Sequence, residues 1–185
     1  MEEVRKGQVF IMGAILFSSL LLLVFFTTGN SIQGQEKSLF KNYYSQSFSE
    51  TVKVFNDALT ENPSTGNIRR KMYEYDRFVK LRAEQKDIDY RTIEFFVLPD
   101  KGEAVLINYQ PSNVSVDLYF NSNKRTLNVG ALQWKKVSFD PGKVSVHLII
   151  NDRNIDASFD AVTPRMFNYA RMERQNELWS NYRIH

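Results

Sequence analysis

Three rhythms of hydrophobic and polar residues succeed one another along this chain. From Val9 to Phe26 there are eighteen residues without a charge, Val-Phe-Ile-Met-Gly-Ala-Ile-Leu-Phe-Ser-Ser-Leu-Leu-Leu-Leu-Val-Phe-Phe. As a helix this run spans about 27 Å, close to the hydrocarbon thickness of a bilayer, and Thr27 and Thr28 extend it. The alternatives are a buried core helix or a cleavable secretory signal. Signals have shorter apolar stretches, roughly 7–15 residues, and end at a small-x-small site that Thr27–Ser31 does not offer. The run is therefore read as a retained transmembrane helix over 8–28. Arg5 and Lys6 stand before it and residues 27–35 carry no charge, which keeps 1–7 cytoplasmic and puts the rest of the chain outside. Residues 29–35 read as a short tether.

The second rhythm is helical. Leu39, Tyr43, Phe48, Val52, Phe55 and Leu59 recur at three to five residues, Asn62-Pro63-Ser64-Thr65-Gly66 interrupts them, and Ile68, Met72, Tyr75 and Val79 resume the spacing to about Gln85. Ser64 or Thr65 is placed to cap the second helix. The pattern predicts a helical stalk of two helices over 36–87.

From about Tyr90 the period becomes two. Arg91–Leu98 ends at Pro99-Asp100-Lys101-Gly102, and Glu103–Tyr109 follows. Val114, Val116, Leu118 and Phe120 then alternate with polar neighbours. Leu127, Val129 and Ala131 come next, then Trp134–Phe139, the Asp140-Pro141-Gly142 turn, Val144–Ile150 and Ile155–Ala161. Six or seven short strands about ten residues apart, with no room for crossover helices, predict an antiparallel β-sandwich over 90–162. The tail 163–185 carries Met166, Phe167, Tyr169, Met172, Leu178, Trp179 and Tyr182 and is a candidate C-terminal helix packing on the sandwich or on a partner. The fold class expected is α+β: transmembrane helix, helical stalk and sandwich.

Composition narrows the function. The chain has 185 residues, no cysteine, 24 Lys+Arg against 21 Asp+Glu and a net charge of +3. A disulfide framework, a thiolate nucleophile and Cys-ligated zinc are excluded, and the small charge, like the outside location, argues against nucleic acid. The Arg69-Arg70-Lys71 cluster opens the second helix, the wrong end for the helix dipole, and is a candidate contact for anionic lipid or an acidic partner. The competing reading is a solvated face with intrahelical pairs. Gly13, Ala14 and Ser18 form a small-residue patch suited to close helix packing in a membrane. Asn113-Val114-Ser115 is a glycosylation sequon, whereas Asn62-Pro63-Ser64 is excluded by its proline.

Arg5-Lys6-Gly7-Gln8 followed at once by a long apolar helix resembles the class III signal of archaeal type IV pilin-like proteins. The resemblance implies cleavage between Gly7 and Gln8, with the helix kept on the mature chain. Many members of that family carry Glu at the fifth mature position, where Met12 stands here. Its absence removes a register device of filaments and points to an accessory or stand-alone surface protein. The stretch from Val137 to Ile150, strand, Asp-Pro-Gly turn and strand, resembles the late hairpin of immunoglobulin-like modules on archaeal surface proteins.

Motifs of chemistry are sparse. His147 lies on the outward face of a strand and His185 ends the chain, and neither has a carboxylate and nucleophile nearby in sequence. Asp152, Asn154, Asp156, Ser158 and Asp160 imitate the start of a calcium loop, but Ala157 stands where glycine is needed and Thr163 where a bidentate Glu is needed. No spacing singles out a carboxylate pair for hydrolysis. No catalytic residue, metal or cofactor is assigned. The reading is a non-enzymatic, membrane-anchored extracytoplasmic structural or assembly protein of pilin-like type, with membrane lipid and other surface proteins, including its own copies, as partners. The alternative is an adhesion or ligand-sensing module binding glycan or peptide through loops such as Asn121–Arg125.

Overall fold

The structure is a computed structural model that describes residues 45–153, 155–174 and 177–185, together with Ser18, Ser19 and Asn42. The apolar run 9–26, the leader, the tether and the Gly7–Gln8 junction lie outside the described residues, except that Ser18 and Ser19 are helical and exposed. Among the described residues no helix is long and apolar enough to cross a membrane.

Helix α1 occupies 45–61 of the described chain, and α2 runs Thr65–Glu84. Ser64 is the N-cap of α2, in extended conformation, and its hydroxyl accepts from Asn67 N at 3.3 Å. Asn67 Nδ2 in turn donates to the carbonyls of Ala58 and Asn62, both at 3.1 Å, and so ties the end of α1 to the start of α2.

Among the described residues nine strands follow: β1 Asp89–Leu98, β2 Glu103–Asn108, β3 Val114–Phe120, β4 Asn123–Val129, β5 Trp134–Ser138, β6 Val144–Ile150, β7 Ile155–Ala161, β8 Arg165–Arg174 and β9 Glu177–Ile184. They form two antiparallel sheets, ordered β5-β2-β1-β8-β9 and β4-β3-β6-β7. Ile93, Phe95, Val97, Leu106 and Phe167 of the first sheet pack with Val116, Leu118, Val146, Leu148 and Ile150 of the second to make the sandwich core. Burying each such side chain contributes roughly 1.5–3 kcal/mol.

The helices do not form a stalk. Phe55, Ala58, Ile68 and Met72 are buried against Phe96, Leu98, Val105, Ile107, Tyr109 and Met166 on the other face of the five-stranded sheet. Phe55 and Phe96 meet at 6.0 Å between ring centres. Residues 47–185 thus form a helix layer on a two-sheet sandwich, because α1 and α2 present an apolar stripe that only another apolar surface can cover. This third layer explains the unbroken burial along β1, whose residues from Thr92 to Leu98 are all buried, whereas β3 and β6, with one wet face, alternate.

The candidate helix over 163–185 is instead the β8–β9 hairpin. Its apolar residues alternate across two faces: Phe167 and Tyr169 point into the sandwich core, while Met166 packs under the helices. A hairpin added beside β1 buries both sets, which a helix at this edge would not. Buried Asn108 joins the loops at one end of the sandwich: its Nδ2 donates to the carbonyls of Ser112, Val129 and Gly130 at 2.8, 3.2 and 3.0 Å, and its Oδ1 accepts from Gln110 N at 3.0 Å.

Candidate functional site

The buried face of α2 reads Ile68, Met72, Asp76, Val79, Ala83. Four members are apolar and the central one is a carboxylic acid. Asp76 is 1% exposed and lies over β1, where Tyr90 donates to its Oδ1 at 3.2 Å and Thr92 to its Oδ2 at 3.0 Å. One step along the same face of β1 stands Glu94, fully buried. Asn168, opposite Glu94 on β8, donates to its Oε1 at 3.3 Å, while Oε2 has no hydrogen-bond partner.

Two carboxyl groups removed from water in one place cannot both ionise cheaply. Burial pushes Asp76 up from 3.8 to about 7, against the pull of hydrogen bonds from Thr92 and Tyr90. Burial, followed by the neighbouring Asp76, pushes Glu94 well above the usual carboxylate range. The pair titrates as a unit and holds protons under conditions in which a solvated carboxylate has released them. Burial and the same carboxyls also raise the Tyr90 and Tyr109 phenols.

Beside this pair is a cavity of about 150 Å³ lined by Tyr73, Asp76, Arg77, Lys80, Tyr90, Tyr109 and Leu132. Tyr73, Asp76, Arg77 and Lys80 fall at i, i+3, i+4 and i+7, one side of α2. Tyr73 and Tyr109 pack with ring centres 5.4 Å apart. Tyr109 is 7% exposed and its hydroxyl has no hydrogen-bond partner. Leu132 at the lip has φ of 55°, a left-handed conformation costly for a branched side chain.

The basic cluster of α2 disperses. Arg69 lays its guanidinium 4.2 Å from the ring centre of Trp134 on β5, Arg70 is exposed and donates back to Asn67 Oδ1 at 3.2 Å, and Lys71 pairs with Glu61 at 2.9 Å. That hydrogen bond and the charge of Lys71 hold the Glu61 carboxyl below its usual value. The three side chains therefore have separate partners and do not converge on one anion. Asn113 is exposed in the loop before β3, and its Oδ1 accepts from Ala131 N at 3.2 Å. Gly7, Gln8, Gly13 and Ala14 lie outside the described residues; Ser18 is an exposed helical position.

A second polar cluster occupies the outer face of the four-stranded sheet. His147 does find a carboxylate there: its Nε2 lies 2.6 Å from Asp156 Oδ1, across the β6–β7 hairpin. Tyr119 of β3 stacks on the imidazole at 5.2 Å, and Ser145 donates to Asp160. Asn121, at φ 55°, accepts from Ser145 N at 3.0 Å. Asn121, Ser145, His147 and Asp160, with Val146, Ser158 and Phe159, line an open groove of about 330 Å³. The side chains of Asp152 and Asn154 lie outside the described residues; Asp156, Ser158 and Asp160 alternate along an ordinary strand. Among the described residues no group of three His, Asp or Glu side chains is placed to hold a metal ion.

The helical spacing gives the α2 stripe to Ile68, Met72, Tyr75 and Val79 and passes over Asp76. Tyr75 is half-buried, donating to Ser47 O at 3.2 Å, and Asp76 takes the inner position. The available signal was its spacing, four after Met72 and three before Val79. Glu94 was marked by being the one acid inside the Arg91–Leu98 run. Asn168 carried no such mark, because its partner lies 74 residues away. Compared with known proteins, the chain matches no protein-family model, no curated protein and no solved structure.

Proposed function

We propose that this chain is a non-enzymatic, membrane-anchored extracytoplasmic protein of pilin-like type whose immunoglobulin-like body acts through protein–protein contacts. The uncharged run 9–26 behind Arg5-Lys6-Gly7-Gln8 supports the anchor and its processing. Strand order supports the immunoglobulin-like reading: strands one, two and five share one sheet, strands three, six and seven the other, with the fourth on the edge of the second sheet. The β8–β9 hairpin is an addition to that plan.

The observation that carries the contact function is β9. The five-stranded sheet has one strand more than its partner, and β9 is its edge. Leu178, Tyr182 and Ile184 share the side of β9 that elsewhere makes the sandwich core, yet are 55%, 39% and 37% exposed. An edge strand with an apolar side is a template for another strand. The occupant that fits is a second copy: antiparallel pairing about Ser180 sets Leu178 of each copy opposite Tyr182 of the other, on the same face.

The test uses Ser180→Cys in this cysteine-free chain. On intact cells, a membrane-impermeant maleimide should label the variant, mild oxidation should yield a disulfide dimer across the two-fold, and the native N-terminus should read Gln8. Directly opposed Cα atoms lie about 4.5–5.5 Å apart, within disulfide reach. Labelling only after lysis overturns the outside location. Labelling with no dimer overturns the paired edge. A terminus other than Gln8 overturns the pilin-like processing.

A second reading, adhesion, is favoured by the groove at Asn121, His147 and Asp160, where Tyr119 stacks on the His147 ring that lines it. On that reading, Tyr119→Ser should remove binding on a glycan array, and an array with no signal for the parent protein rejects it.

A further inference from the structure

We propose that the cavity beside α2 binds a compact zwitterionic amine, with the ligand's ammonium on the Asp76 carboxylate and its own carboxylate on Arg77 and Lys80. The proposal is independent of how the chain is anchored and of whether β9 pairs.

Size comes first. A protein cavity of about 150 Å³ takes a benzene-sized molecule of six heavy atoms, which is the scale of a small amino acid and well below a drug-sized ligand. Chemistry follows from the lining. A carboxylate offers about four lone-pair sites; Tyr90 and Thr92 use one on each oxygen of Asp76, and the Glu94 carboxyl lies against it as a further donor. One N–H of an ammonium is complementary to what remains. Tyr73, Tyr90 and Tyr109 supply aromatic surface that favours a cation. The unpartnered Tyr109 hydroxyl is a cost to the empty protein that a polar ligand relieves.

The remaining lining residues decide the other half of the ligand. Arg77 is exposed and Lys80 half-buried, both on the same side of α2 as Asp76. A bare amine would meet these two cations, and a bare carboxylate would meet Asp76. A molecule carrying both charges satisfies each, and six heavy atoms suffice to separate them. Leu132, held in its left-handed conformation at the lip, closes the apolar side of the opening.

The experiment is calorimetric titration of the full-length chain in detergent micelles at pH 8. Glycine, alanine and β-alanine are the probes, with ethylamine and propionate as the two halves. At least one zwitterion should bind one-to-one and at least tenfold more tightly than either half. Tyr109→Phe, which removes only the hydroxyl, and Arg77→Gln, at an exposed position, should each weaken binding roughly five- to tenfold. Asp76→Asn should abolish it. The two milder variants decide the matter even where the Asp76 substitution disturbs folding. The proposal is overturned by absence of saturable binding, by equal binding of amine or carboxylate alone, or by wild-type titrations for both Tyr109→Phe and Arg77→Gln.

Discussion

Asp76→Asn should flatten the pH profile of stability by about 1.4 kcal/mol per pH unit between roughly pH 4 and pH 7. The native protein keeps a proton on Asp76 up to about pH 7, whereas the unfolded chain releases it near 3.8. Through that window the native state binds more protons than the unfolded state, so its stability falls as pH rises. The contribution is intact below the unfolded value and is lost once pH passes the folded one. Asparagine resembles the protonated acid in shape but cannot ionise. It also gives up one acceptor for Tyr90 or Thr92, at about 1 kcal/mol. The variant should therefore be about 1 kcal/mol less stable than the parent at pH 4.5 and about 2 kcal/mol or more the more stable at pH 8.

Glu61, Glu103 and Asp117 act with the opposite sign. Hydrogen bonds from Lys71, from Lys136 and from Thr126 with Lys124 hold them below their usual values, so what they contribute is lost as pH falls. Glu61 is exposed and Glu103 and Asp117 are half-buried; all three are common to both proteins, and they cancel in the difference. Urea denaturation of the two full-length proteins at pH 4.5, 6 and 8 gives the measurement. Parallel profiles would mean that Asp76 ionises in the native state as it does in water.

Gly102→Ala should cost about 3 kcal/mol or more. Gly102 sits at φ +60° after Pro99–Lys101, and a Cβ there would lie 2.2 Å from the carbonyl oxygen of Phe139 and 3.1 Å from the Pro141 ring. The left-handed conformation alone costs a non-glycine residue about 1–2 kcal/mol, and forcing two backbones apart adds about 1–3 kcal/mol. Both backbones are committed: Phe139 N donates to Gly102 O at 2.8 Å and Gly142 N to Pro99 O at 3.0 Å, locking the Pro99 and Pro141 turns together. Gly66→Ala is the internal contrast. It lies in the first turn of α2 with nothing within 4 Å of a new Cβ, and should leave stability unchanged or raise it by up to about 1 kcal/mol. Chemical denaturation of both variants checks the pair; a Gly102→Ala loss no larger than about 1 kcal/mol would mean that the two turns separate freely.

Much of the architecture was readable from local pattern. Alternation at Val114–Phe120, Val144–Ile150 and Ile155–Ala161 marked β3, β6 and β7, because each has one dry and one wet face. The Pro99–Gly102 and Asp140–Gly142 turns marked strand ends for the reasons just given. The tail misled because its apolar residues are close enough to suit either period, and the choice fell to β1, which offered a free edge to β8. The helices pack on the sheet instead of standing as a stalk for a related reason. An apolar helix stripe says that something covers it, and not whether that is a partner helix, a membrane or, as here, a sheet.

The sequence by itself determined the periods, the turns, the absence of thiol chemistry and the charge-free run near the start, since each is a property of residues close together in the chain. Tertiary structure alone decided that Asp76, Glu94 and Asn168 share one dry interface, that His147 meets Asp156, and that Arg69, Arg70 and Lys71 go separate ways. The physical reason is that a polar side chain takes its chemistry from what packs against it. For Glu94 that neighbour is set by strand pairing across 74 residues, and for Asp76 by α2 settling on a strand 14 and 16 residues further on, distances over which local spacing carries no information.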